Sequence, residues 1–136
     1  MKRVVLDASA LMAFFEDRPG ADKVEDLIGR AVEGKTELLM SVVNWGEVYY
    51  SVWRARGRDA AQKVIAEIAQ LPIEIADADG ELTKQAAELK ALHHLPYADC
   101  FAAGLAQIRR AIVATADRDF AAIERELKVF WVTGHS

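Results

Sequence analysis

The sequence predicts a three-layer α/β sandwich in which a largely parallel β-sheet is flanked by helices. Short apolar runs rich in Val, Ile and Leu alternate along the whole chain with longer segments of helical spacing, the pattern of strands joined by crossover helices. The runs are too apolar to be half-exposed, as expected of strands covered on both faces. With 136 residues, there is material for one ordinary domain, residues 1–136, and not for two.

The first element is a strand over residues 3–7, followed by a helix over about 9–16. Arg18-Pro19-Gly20 is a break. The segment "ADKVEDLIGRAVEG" then places Val24, Leu27, Ile28, Ala31 and Val32 at helical spacing. "ELLMS" reads as a short strand, and "VVNWGEVYYSVWRARG" as a helix closed by Gly57. A further amphipathic helix, "RDAAQKVIAEIAQL", runs until Pro72 changes the backbone. "IEIA" is a strand, "ADGELTKQAAELKALHH" mostly helix, and Pro96 restarts the chain. After it come a helix, "YADCFAAGLAQIRR", a strand, "AIVATA", a short helix, "DFAAIEREL", and a last strand, "KVFWVT". No internal repeat or low-complexity segment interrupts the series.

Composition narrows the function classes. Hydrophobic residues make up 52% of the chain and charged residues 28%, a globular balance far from disorder. The single cysteine, Cys100, allows neither an intramolecular disulfide nor a cysteine-based zinc site. The basic start, Met1-Lys2-Arg3, is followed by an apolar run that breaks at Asp7, Ser9, Glu16 and Asp17, so no signal peptide is expected. No segment approaches the ~20 apolar residues that span a bilayer, and a cytoplasmic protein is expected. A net charge of −4 argues against coating nucleic acid by bulk positive charge. It leaves room for a nucleic-acid enzyme whose positive charge comes from a metal.

Acids at strand exits are the candidate chemistry, because ligands of parallel sheets sit beyond the carboxyl ends of the strands. Asp7 ends the first strand and Asp117 follows "AIVATA". Asp99 lies in the first turn of the helix after Pro96, and Glu47 shares an i, i+4, i+7 stripe with Val43 and Tyr50. Each has an ordinary alternative: a helix cap for Asp7, a dipole partner for Asp99, a turn residue for Asp117, an ion pair with Arg54 or another base for Glu47. Asp119 is read as the N-cap of the next helix. Jointly the four weigh more. Two carboxylates ~4 Å apart repel by ~4 kcal/mol at an effective dielectric of 20, so such a cluster must take up protons or a cation. Oxygen-only ligands suit Mg²⁺ or Mn²⁺, and a hard divalent ion beside water suggests phosphodiester hydrolysis.

The set "VVLDASAL", "SVVNWGEVYYSVWRARG", "YADCFAAGLA" and "IVATADRDF" resembles the PIN-domain family, and within it the VapC-like ribonuclease toxins of type II toxin–antitoxin pairs. The resemblance covers the whole chain and the order of its elements. It implies a PIN-like fold and Mg²⁺- or Mn²⁺-dependent endonucleolytic cleavage of RNA. The family's metal-binding and catalytic acids fall on Asp7, Glu47, Asp99 and Asp117, and its supporting hydroxyls on Ser9 and Thr115. It also implies a VapB-like antitoxin partner and a homodimer. The candidate RNA-binding rim is Arg54, Arg56 and Arg58, with Lys63, and with Arg109, Arg110 and Arg118 elsewhere.

Other features receive plainer readings. His93-His94 interacts with a helix C-terminus, His135 belongs to a frayed tail, and Cys100 is a small core residue. The stripe Trp45, Tyr49, Val52, Trp53 is core or subunit interface. The main rival is a receiver-like Mg²⁺-binding phosphoacceptor domain. It calls for paired acids near the first strand and a Lys on a late strand, whereas Asp7 stands alone and "AIVATA" has no Lys. An Asp-x-Asp phosphatase would need an acid where Ser9 stands.

Overall fold

The computed structural model describes residues 3–133; His135 lies outside them. Among the described residues the five strands are β1 (Arg3–Leu6), β2 (Glu37–Ser41), β3 (Ile73–Ala76), β4 (Ile112–Thr115) and β5 (Val129–Trp131). All pairings are parallel, in the order β3-β2-β1-β4-β5. The α-helices are α1 (Ala8–Phe15), α2 (Ala21–Val32), α3 (Val42–Arg56), α4 (Arg58–Ile68), α5 (Gly80–Leu92) and α6 (Tyr97–Arg109). The α/β sandwich read from the sequence is the one observed, with element ends trimmed by one to a few residues.

β1 is the central strand, and Val4, Val5 and Leu6 are all 0% exposed. Alternation along a strand sends successive side chains to opposite faces. Val5 accordingly joins Leu39, Val113 and the apolar faces of α5 and α6. Val4 and Leu6 join Leu38, Met40 and residues of α1 to α4. Two separate cores therefore clamp the sheet, and each fully buried aliphatic side chain contributes ~1.5–3 kcal/mol. That burial holds rigid the edge from which the acids emerge.

The break at residues 18–20 has a steric reason. Gly20 has φ +98°, and a Cβ there would meet Val132 Cγ2 at 2.8 Å and the Val132 carbonyl oxygen at 2.9 Å. The entry into α2 is thus packed against the chain leaving β5, where only glycine fits.

One element differs in kind. The short helix expected over 119–127 is a 3-10 helix, Arg118–Ile123, followed by a turn. Phe120 and Ile123, both 0% exposed, stand three apart, and three residues per turn align both on the core.

Candidate active site

The parallel register pairs Leu6 with Ala114, so Asp7 stands opposite Thr115 where β1 and β4 end. Asp7 is 2% exposed. It is the N-cap of α1, its Oδ1 accepting from the Ala10 amide at 2.9 Å and from Ser9 Oγ at 2.8 Å. Thr115 Oγ1 donates to its Oδ2 at 2.5 Å, with Ser9 Oγ 3.0 Å from the same oxygen. The two hydroxyls also brace the neighbouring loop: Ser9 Oγ accepts from the Ala116 amide and Thr115 Oγ1 from the Asp117 amide, each at 2.9 Å. A buried carboxylate normally costs several kcal/mol, and here these donors offset part of that cost. Burial still prevails. It raises the Asp7 pKa to about 6 against the bonds from Thr115, Ala10 and Ser9, with the Asp117 charge adding to the rise.

Asp99 is 7% exposed in the first turn of α6, and its Oδ2 has no hydrogen-bond partner. Burial lifts its pKa to about 8, reinforced by the charge of Asp117, a hydrogen bond with Asp117, and the charges of Asp7 and Glu47. The four acids singled out in the sequence thus act on one another in a single hollow at the strand-exit edge. Glu47 is half-buried, and its pKa is raised by burial and by Asp117 against a bond from Asn44. The buried stripe of α3 is Asn44, Val48 and Val52, not the expected Val43, Glu47 and Tyr50; Tyr50 is 50% exposed. Glu47 therefore sits at the margin of the hollow rather than in the core.

Asp117 takes the N-cap role expected of Asp119. Its Oδ1 accepts from the Asp119 amide at 2.9 Å, which starts the 3-10 helix. The cap falls two residues earlier because the helix starts at Arg118. Asp119 instead joins Asp99 and Asp117: one oxygen from each lies within 4.8 Å of the others. An all-oxygen donor set with a buried carboxylate oxygen lacking any partner fits a hard divalent cation. Such an ion offsets the burial and the repulsion that together keep a proton on Asp99.

The arginine rim divides. Arg54 lies over the Tyr50 ring, 5.3 Å from its centroid, and Arg58 opens α4 in solvent. Arg56 stands 3.8 Å from the Glu16 carboxylate, which also pairs with Arg18. At 1.5 Å rise per residue, Arg54 is ~10 Å along α3 from Glu47. Arg109 belongs elsewhere: it grips Glu74 bidentately, and its carbonyl accepts from Arg3 at the start of β1. Arg110, next to it, shares a cavity with Arg3, Lys35 and Glu37. Neither borders the hollow, because α6 starts at the strand-exit edge and ends at the opposite one.

In the aromatic stripe, Val52 is buried and Trp53 is 43% exposed. Trp45 and Tyr49 stack at 6.3 Å, and Tyr49 meets Trp53 edge-on. His93 caps α5 and pairs with Glu126. Cys100 is buried. Asn44 is the residue that sequence reasoning missed. It is 0% exposed, and its Nδ2 donates to Glu47 Oε1 at 2.8 Å and to the Ala98 carbonyl at 3.0 Å. The available signal was its place three residues before Glu47, one helical turn away.

An all-parallel α/β fold with a carboxylate hollow beyond the central strands defines the class. Within it, the PIN domain family model matches residues 4–126, and the chain belongs to the PIN-domain family. No curated protein sequence matches significantly. Among solved structures, a chain of VapBC2 from Rickettsia felis, bound to a DNA fragment from its promoter, is 18% identical with a TM-score of 0.72, covering 94% of this chain and 97% of that one. VapBC from Salmonella typhimurium, also bound to DNA, is 20% identical with a TM-score of 0.69, covering 96% and 98%. VapC20 from Mycobacterium tuberculosis, described as a sarcin-ricin-loop-cleaving toxin, is 20% identical with a TM-score of 0.64, covering 88% and 93%. These likenesses establish a common fold. The receiver-like alternative is set aside by the family match. Among the described residues no helix is long and apolar enough to cross a membrane.

Proposed function

We propose that this chain is a metal-dependent endoribonuclease, the toxin of a type II toxin–antitoxin pair. The observation that carries the reading is Asp99: a buried carboxyl with an unpartnered oxygen, driven toward its protonated form by burial first and then by three other acids. A resting structure does not profit from such an arrangement, and a divalent cation makes it favourable.

Asp99, Asp117 and Asp119 would hold Mg²⁺ or Mn²⁺, with Asp7 and Glu47 completing the ring of negative charge. Bound there, the ion supplies Lewis acidity to a phosphodiester and to water at neutral pH. The chain's own groups do the rest. Asp7, fixed by Ser9, Thr115 and Ala10, keeps the end of β1 aligned with that of β4. Glu47 and Asp117, which both reach solvent, are the carboxylates able to take the proton of an attacking water. Asp119 is exposed and faces incoming substrate first. Arg54, Arg56 and Arg58 lie on the flank along which an RNA backbone would approach, and contacts with phosphate oxygens would position it.

The partner proposal follows from the relatives. Several fold neighbours are chains of toxin–antitoxin complexes, and an antitoxin of the VapB type is the matching partner here. The exposed Tyr50 and Trp53 of α3 offer apolar area for homodimerisation.

The deciding experiment uses protein purified free of any partner. RNA cleavage is followed with Mg²⁺, with Mn²⁺ and with EDTA, beside Asp7→Asn and Asp99→Asn. Cleavage that requires the metal and disappears in both variants supports the reading. Cleavage that persists in EDTA and in both variants belongs to another site, and the reading fails.

A further inference from the structure

We infer that Asn44 is the positioning residue that sets the spacing of Glu47 and Asp99 and so tunes the affinity of the carboxylate centre for its divalent ion. The inference rests on the metal-centre reading above and extends it to a residue outside the ring of acids.

The geometry is specific. Asn44 and Glu47 stand one turn apart on α3, and the Asn44 amide is 0% exposed. Its two N–H groups are divided between two elements: Glu47 Oε1 at 2.8 Å on α3, and the carbonyl of Ala98, the residue before Asp99, at 3.0 Å on α6. One planar group therefore ties one carboxylate directly and fixes the backbone that carries another. The orientation of the amide is settled by its partners. Turning it over would set its oxygen against two acceptors, and an oxygen cannot donate.

The residue type is also telling. Asn44 occupies the first position of the buried stripe that continues with Val48 and Val52. At such a place an apolar side chain packs without leaving a polar atom unmet. Here the Asn44 Oδ1 has no partner, so the amide is not optimal for burial alone. Its two donors, aimed at the two sides of the centre, account for its presence. Groups that orient metal-binding carboxylates in this way typically alter metal affinity or activity by ~10–100-fold when removed.

The test is Mn²⁺ binding to the full chain, read by the electron paramagnetic resonance of free Mn²⁺, so no turnover is required. Asn44→Leu keeps similar volume and removes both donors. The expected result is a ~10–100-fold weaker Mn²⁺ affinity with the metal-free melting temperature unchanged or raised. Asn44→Ser, which retains one donor, is expected to fall between Asn44→Leu and the parent, and it carries the test if Asn44→Leu does not fold. In a Glu47→Ala background the Asn44 substitution should cost little more, because its partner is already gone. A lowered melting temperature at unchanged Mn²⁺ affinity would make Asn44 merely structural and overturn the inference. So would full additivity with Glu47→Ala. Absence of Mn²⁺ binding by the parent protein would bring down the metal-centre reading and this inference together, whereas parent binding equalled by both Asn44 variants defeats the inference alone.

Discussion

Thr115 Oγ1 donates to Asp7 Oδ2 at 2.5 Å although the two residues lie 108 positions apart in the chain. The bond joins the ends of β1 and β4 and is the shortest hydrogen bond at the acidic hollow. The same hydroxyl accepts from the Asp117 amide, so one side chain fixes two of the acids relative to each other.

Thr115→Val tests that joint. It preserves shape and removes the hydroxyl, leaving Asp7 Oδ2 short of a buried donor and the Asp117 amide short of an acceptor. Stability should fall by ~1–3 kcal/mol, measured by urea denaturation in EDTA. An unchanged midpoint would mean that Ser9, which also reaches Asp7 Oδ2, takes over its role.

The metal-free protein should lose stability as pH rises. Asp7 and Asp99 have folded-state pKa values of about 6 and about 8, both above the ordinary aspartate value of 3.8. The folded state thus holds these protons more tightly than the unfolded chain. Their contribution is complete below about pH 4 and disappears as pH climbs through about 6 and then about 8. Thermal melting in EDTA should show a midpoint ~3–8 °C lower at pH 8.5 than at pH 5.5, with Mg²⁺ restoring most of the difference at the higher pH. A flat profile in EDTA would show that neither burial nor mutual repulsion holds these protons as the arrangement requires.

Asp99→Asn should separate stability from function. Without metal, the amide ends the repulsion with Asp117 and supplies a donor where Oδ2 had no partner. The melting temperature in EDTA is expected to stay level or rise by ~2–5 °C, while the stabilisation by Mg²⁺ shrinks to near zero. A large drop in EDTA would assign Asp99 a structural role.

RNA binding supplies the test of the arginine flank. For single-stranded RNA each phosphate contact contributes ~0.7 to the slope of log affinity against log salt. Arg54→Ala with Arg56→Ala should flatten that slope by up to ~1.4 if both touch phosphate. Arg109→Ala should leave it unchanged, since Arg109 serves Glu74 at the far edge. Equal effects of the flank and the Arg109 variants would remove the flank from the RNA path.

Much of this architecture is legible in the amino-acid order. Apolar runs alternating with helical spacing require a parallel sheet, and the strand-exit rule then brings Asp7 and Asp117 to one edge. Arg109, named with the candidate rim, falls to the same logic: a helix whose first turn holds Asp99 at that edge must end at the other. The 3-10 helix is not legible, because Phe120 and Ile123 satisfy an i, i+3 pattern in either helix type. Asn44 is hidden for a different reason. α3 carries Val or aromatic residues on most of its surface, so nothing in its periodicity says which stripe turns inward. The stripe turns inward because Val48 and Val52 pack with residues of α1, α2 and α4, and the Ala98 carbonyl that receives the Asn44 bond belongs to a segment 54 residues away.

The central position of β1 has a further consequence for biosynthesis. Its neighbour on one side, β2, leaves the ribosome early, but its neighbour on the other, β4, follows only after more than a hundred residues. A nascent chain that already contains Asp7 and Glu47 therefore lacks the strand that aligns Thr115 and Asp117 with them. Translation halted at any earlier codon leaves an incomplete constellation, so the carboxylate centre can assemble only once β4 has emerged.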